Sequence, residues 1–223
     1  VFHLPGVFLW RLPKAQRIKF LRRVPGRQAC VDHGFEDLLS VHCWHICDRR
    51  GSVKPTVYQG MYNGITRDVE RELLPCLRAL GMRFYAYNPL CGGLLACARA
   101  REDYESLDDD SRFRKGNTMY RERYLAECQL DGVDAFRDAC AEAGVPPVHA
   151  ALRWLQHHSS LVDGDGIIVG ASRLAHLEEN LAALASGDAL PQAVVDACDA
   201  GWAKIKASGV CPSYERGTSL YKY

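Results

Sequence analysis

The stretch Ile168-Val-Gly-Ala-Ser-Arg-Leu-Ala-His-Leu-Glu-Glu-Asn180 joins a strand pattern to a helix pattern through one glycine and one serine. Gly166-Ile-Ile-Val169 reads as a short buried strand bounded by glycines. Leu174, Leu177, Leu181 and Leu184 recur three or four apart, as one stripe of a helix does. The turn between them sets Ser172, Arg173 and His176 beside backbone N–H groups at a helix start, where the helix dipole favours an anion. The same residues suit an ordinary strand–helix turn with Ser172 as N-cap, and spacing alone does not separate the two.

Outward from that turn the alternation repeats. Phe35–Arg50 predicts a helix closed by Gly51, and Pro55-Thr-Val-Tyr-Gln59 a short strand. Thr66 is placed as an N-cap, with Asp68, Glu70 and Glu72 in the first turns. That helix is expected to run through Leu74, Leu77 and Leu80 to Gly81 with a kink at Pro75. Met82–Tyr87 alternates as a strand, and a long loop follows from Asn88 to about Thr118. Helices are expected over Met119–Ala143 and, after Pro146-Pro147, over Val148–His157. A last helix carries Val194, Val195, Cys198, Trp202 and Ile205 inward. Strand and helix in alternation indicate βα units on a parallel sheet. With Val1–Leu4 and Ala29–Val31 counted as strands the chain offers at most five, whereas a closed (β/α)8 barrel needs eight. The expected fold is therefore α/β, a partial (β/α)8 TIM barrel of roughly the last four or five βα units plus a C-terminal helix.

Composition narrows the function. In 223 residues, 28 Lys and Arg balance 27 Asp and Glu for a net charge of +1, so no global basic field attracts nucleic acid. Apolar runs such as Val7–Trp10 fall far short of the roughly 20 residues that span a membrane. The reading is a cytoplasmic protein without nucleic-acid or membrane partners. Ten cysteines fit reduced, mostly buried thiols, including Cys43, Cys76, Cys128, Cys140 and Cys198. Cys43 and Cys47 share a helix face, but a closed zinc site needs four ligands, and no metal is expected. Residues 1–34 form a separate basic segment, with Arg11, Lys14, Arg17, Lys19, Arg22, Arg23 and Arg27 before the first acid at Asp32. This pattern fits a transit peptide, a solvated segment or sequence foreign to the domain. The opening Val1 points to a longer reading frame.

Pro55-Thr-Val-Tyr-Gln-Gly-Met-Tyr-Asn63, Arg83-Phe-Tyr-Ala-Tyr-Asn-Pro-Leu90 with Gly92-Gly93-Leu94-Leu95, and Gly170–Asn180 stand in an order and spacing that resembles the aldo-keto reductases. Together with Cys211-Pro-Ser-Tyr-Glu-Arg216 they resemble the branch of aflatoxin-aldehyde and succinic-semialdehyde reductases, over residues 35–223 as its C-terminal part. The resemblance implies an NADP(H)-binding barrel that reduces aldehydes or ketones to alcohols. It implies that Gln59 bonds the nicotinamide carboxamide and that Tyr87 stacks on the ring. Asn88, Pro89, Leu90 and Gly92 would line the pyrophosphate channel, with Arg112 also on the cofactor. Gly170, Ser172, His176, Glu179 and Asn180 would hold the adenosine end, Ser172 nearest the 2′-phosphate. Tyr120, Arg123 and Arg216 would grip the carboxylate end of an acidic aldehyde.

Departures from the pattern matter as much. The family uses Asp, Tyr, Lys and His together, the Tyr serving as general acid with its pKa lowered by the charged Lys. His3 falls at the catalytic His position, while Asp, Tyr and Lys have no counterpart in these 223 residues. His33-Gly34 replaces a Ser-Asn clamp on the carboxamide, and Ala98 replaces a phosphate-pairing Lys. The expectation is an aldehyde reductase by family whose chain, as written, is inactive. The alternatives are a non-catalytic NADP(H)-binding or partner-docking protein, and a truncated gene product. Open sheet edges would invite pairing, so a homo-oligomer is a further expected partner.

Overall fold

In a computed structural model, residues 7–10, 47–96, 104 and 112–210 are described, the first four as backbone only. Four strands form one parallel sheet: β1 (Val7–Trp10), β2 (Val57–Met61), β3 (Arg83–Tyr87) and β4 (Gly166–Gly170), in the order β1-β4-β3-β2. Among the described residues a helix ends at residues 47–49 and six more follow: α1 (Leu73–Ala79), α2 (Thr118–Tyr124), α3 (Glu127–Glu142), α4 (Pro147–His157), α5 (Leu174–Ala185) and α6 (Gln192–Ser208). The sheet is open among the described residues.

Where proline and glycine punctuate the sequence, the expected elements appear. Pro147 opens α4 as its first residue, where a missing N–H costs nothing. Gly81, at φ 66°, follows α1 and lets Met82 N–H bond Leu77 O and Gly81 N–H bond Arg78 O. Gly144 at φ 65° ends α3 by the same double bond pattern, through Val145 to Cys140 and Gly144 to Ala141.

Several expectations need correcting. Val7–Trp10, read from sequence only as an apolar run, is a strand, and it pairs with β4 in the register Val7 to Ile167. Val1–Leu4 and Ala29–Val31 lie outside the described residues, as does Phe35–Arg50 before residue 47. Thr66 caps no helix. It is buried and bridged to Asn63 through paired backbone bonds, and a short 3-10 turn at Asp68–Glu70 precedes an α-helix that starts only at Leu73. Pro75 is then the third residue of α1, within the turn whose N–H groups have no helical acceptor, so it causes no break. The expected single helix over Met119–Ala143 is two, parted at Leu125 and Ala126. Gln129, 1% exposed, supports that break by accepting from Ala126 N–H and donating to Arg123 O. Finally, the α5 stripe does not all face inward: Leu174 is 66% exposed, while Leu184 and Ala183 are buried.

The core lies on one side of the sheet. Phe84, Ala86, Ile167 and Val169 alternate out of β3 and β4 into it, with Trp154, Leu152 and Leu155 of α4, Val133 and Phe136 of α3, and Ile205 of α6. Each fully buried aliphatic contributes about 1.5–3 kcal/mol. Helices α3 and α6 meet at Gly132 and Gly201, where a methyl on Gly132 would stand 3.3 Å from the facing Cα. Cys140 and Cys198, on these two helices, are buried thiols pushed up to about 11 and about 12, chiefly by burial.

Ion pairs tie the layers together. Asp165, at the entry to β4, takes Arg78 of α1 in a two-point pair and accepts from Phe84 N–H at 2.7 Å and Val162 N–H at 3.0 Å. Arg67 bonds Glu70 and Asp199 while its guanidinium lies 4.9 Å from the Trp154 ring centre. Glu70 also accepts the Tyr62 hydroxyl at 2.6 Å, and that hydroxyl accepts from Ser160 N–H. Burial first, and then the Glu70 charge, push the Tyr62 phenol far up, so it stays protonated.

Two outcomes follow from this packing. Gly132→Val forces the α3–α6 backbones apart and is expected to lower Tm through an overpacking penalty of about 1–3 kcal/mol, read by thermal unfolding. His158 accepts the Leu190 N–H at 2.8 Å and is held below its usual range by burial, then by His157 and Arg153. Its folded form resists protonation, so its contribution is complete above the unfolded value of about 6.5 and declines as pH falls through it. Tm is expected to drop between pH 7.5 and 5.5, and to drop less in His158→Gln, which keeps an acceptor but does not titrate.

Candidate functional site

Because all four strands run the same way, their C-terminal ends share one edge of the sheet. In-register pairing sets Gln59 opposite Tyr85 and Met61 opposite Tyr87, so the four lie on one face, opposite to that of Phe84 and Ala86. Gln59 is exposed and Tyr87 half-buried. Tyr85 pairs in turn with Gly166, and β4 ends at Gly170, three strands abreast. Gly170, Ala171 and Ser172 therefore leave the sheet at its C-terminal edge, where Tyr87 also ends β3.

The turn beyond β3 is built around Asn88. This residue sits at φ 62°, a left-handed conformation that asparagine tolerates better than most side chains. Its carbonyl accepts from Cys91 N–H and from the Asn63 side chain, each at 3.0 Å, and its Oδ1 accepts from Gly92 N–H at 2.9 Å. Its Nδ2 meets the Tyr124 hydroxyl, which also donates to Met61 Sδ at 2.9 Å. Gly93 and Leu94 N–H bond Leu90 and Cys91 carbonyls. The N–H groups of residues 91–94 are thus spent inside the turn, leaving its shape rather than those donors for any ligand. Pro89 is buried and Leu90 half-buried.

Gly92, at φ 70°, has no room for a side chain, because a methyl would stand 2.7 Å from Tyr120 Cε1. The residue assigned to cofactor and the residue assigned to substrate are therefore in contact. Tyr120 packs edge-on to Phe113 at 5.9 Å and beside Tyr124 at 5.8 Å. Arg123 is half-buried on the same helix, and Arg112 is exposed, its carbonyl held by Asn117. Arg216 and His3 lie outside the described residues.

In the turn after β4, Arg173 and not Ser172 holds the N-cap position of α5, in extended conformation and with no side-chain cap. Ser172 Oγ lies 3.5 Å from His176 Nδ1, both exposed, with Arg173 and Glu179 exposed beside them. Asn180 is 2% exposed and belongs to the inward face with Ala183. An uncapped helix start flanked by an arginine, a serine and a histidine fits a phosphate in donor chemistry. An exposed amide and an aromatic on one face fit a nicotinamide. Sequence reading missed Tyr124 and Asn63; the signal for the first was its place four residues after Tyr120, on the same helix face.

The profile of the family described as "Aldo/keto reductase family" matches residues 37–203. This chain belongs to the aldo/keto reductases. It is 46% identical over 180 residues to human aldo-keto reductase family 7 member A3, covering 77% of this chain and 53% of that protein. It is 42% identical over 179 residues to rat aflatoxin B1 aldehyde reductase member 2, covering 77% and 48%. A fungal aldo-keto reductase from Pseudocercospora fijiensis is 36% identical over 167 residues, covering 73% and 56%. The chain spans about half the length of these curated relatives. Aldo/keto reductases are NADP(H)-dependent oxidoreductases, and membership implies that the parallel sheet is part of a TIM barrel. Among the described residues no helix is long and apolar enough to cross a membrane.

Proposed function

We propose that this chain carries the nicotinamide and adenosine side of an NADP(H) site serving the reduction of aldehydes to alcohols, and that these 223 residues bind the cofactor without turning it over. The observation behind this reading is that Gln59 and Tyr87 share an open face whose edge also carries Ser172, Arg173 and His176. When bound, the cofactor supplies hydride to a carbonyl carbon. In that arrangement Gln59 bonds the carboxamide, Tyr87 covers the ring, and Ser172 with Arg173 and His176 meets the 2′-phosphate. Tyr120 and Arg123 face a carboxylate-bearing aldehyde. What is missing is proton delivery: no Asp, Tyr and Lys set accompanies His3, and general acid catalysis is worth about 10²–10⁴-fold.

Titration with NADPH is expected to quench the protein's fluorescence, and a flat titration to millimolar NADPH overturns the reading. Arg173→Glu is expected to weaken NADPH by about tenfold while changing NADH far less, because only NADPH carries the extra phosphate. Purified chain is expected to oxidise no NADPH with succinic semialdehyde or nitrobenzaldehyde, and turnover at ordinary enzymic rates refutes the inactive part of the proposal.

A second reading concerns assembly. The outer edge of β2 pairs with no strand among the described residues, which favours strand pairing with a second copy. Sedimentation at the dimer mass supports it, and a monomer at all concentrations removes it.

A further inference from the structure

Three parts of the candidate site come from segments far apart in sequence: the end of β2, the turn after β3, and α2. One buried hydroxyl touches all three. Tyr124, on α2 and 0% exposed, donates to Met61 Sδ at 2.9 Å and receives the Asn88 side-chain amide. A phenol has one proton to give and lone pairs to accept with, so both bonds are made at once. Burial pushes this phenol well up, so it keeps its proton throughout the ordinary pH range. Asn88 is fully engaged in the same way, its Oδ1 on Gly92 N–H and its Nδ2 on Tyr124. Neither end of the amide can rotate without losing a bond.

We infer that Tyr124 is a positioning residue that couples the Asn88–Gly92 turn to helix α2, so that the cofactor side and the substrate side of the site are set together. The inference rests on the nucleotide-binding reading above. Its mechanism is local. Without the hydroxyl, Asn88 Nδ2 keeps only its long contact to Met61 Sδ at 3.9 Å, so its left-handed backbone is held less firmly at that end of the side chain. Gly92 then loses a fixed acceptor, and Tyr120, whose ring lies against Gly92, loses the surface it packs on. Because the coupling is an equilibrium property, order at the turn stabilises α2 and order at α2 stabilises the turn.

The test compares the full chain with Tyr124→Phe, which keeps the ring against Phe113 and Tyr120 and removes only the oxygen. Amide hydrogen exchange is expected to quicken in both residues 88–95 and 118–124 while β4 and α4 keep their protection. NADPH affinity by fluorescence is expected to fall about tenfold. Faster exchange everywhere indicates a merely structural role and overturns the inference, as does faster exchange in α2 alone or an unchanged affinity. If the wild-type chain gives a flat NADPH titration, the nucleotide reading fails and with it the cofactor role of Tyr124, whatever the exchange pattern. Met61→Leu keeps the bulk and removes the sulfur acceptor. It is expected to show the same two-segment pattern more weakly, and it decides the matter if Tyr124→Phe does not fold; acceleration confined to β2 overturns the coupling.

Discussion

A parallel sheet buries its strands only when something covers each face, and this constraint organises the rest of the chain. One face, with Phe84, Ala86, Ile167 and Val169, is sealed by helices. The other, with Gln59, Met61, Tyr85 and Tyr87, stays half-buried or exposed. In a closed barrel that second face is the interior. The strand period of two therefore divides the residues between two roles. Odd-numbered positions of β3 carry Arg83, Tyr85 and Tyr87 on the less covered face, and even-numbered positions of β3 supply the core.

The two ends of the sheet are held by different chemistry. At the N-terminal end Asp165 satisfies backbone groups and Arg78 at once, an arrangement suited to stability. At the C-terminal end the uncharged Asn88, Tyr124 and Met61 do the fastening. The cationic groups Arg173 and Arg112 are exposed. Such a division suits a fold whose chemistry sits beyond the strand ends.

Much of the architecture was legible because its signals are local. Pro147, Gly81 and Gly144 mark helix ends by their own conformational limits, and β3 and β4 show their periods within a few residues. The errors arose where a tertiary partner overrode a local preference. Thr66 followed by acids looks like a helix start, yet Glu70 is drawn to Tyr62 and Arg67. The break at Leu125 depends on Gln129 bonding backward to Arg123 O, which no propensity reveals. The candidate site divides in the same way. Gln59, Tyr87 and Ser172 stand in recognisable motifs, whereas the partnership of Asn88 with Tyr124 spans 36 positions and exists only once the chain is folded.

The buried thiols of Cys140 and Cys198 give the chain an internal reporter. Both keep their protons at neutral pH and are sealed inside the packed helical layer, and an alkylating reagent needs a thiolate it can reach. They fall silent to such reagents for as long as the layer stays shut, so the pace at which they become labelled counts the excursions of α3 and α6 away from each other.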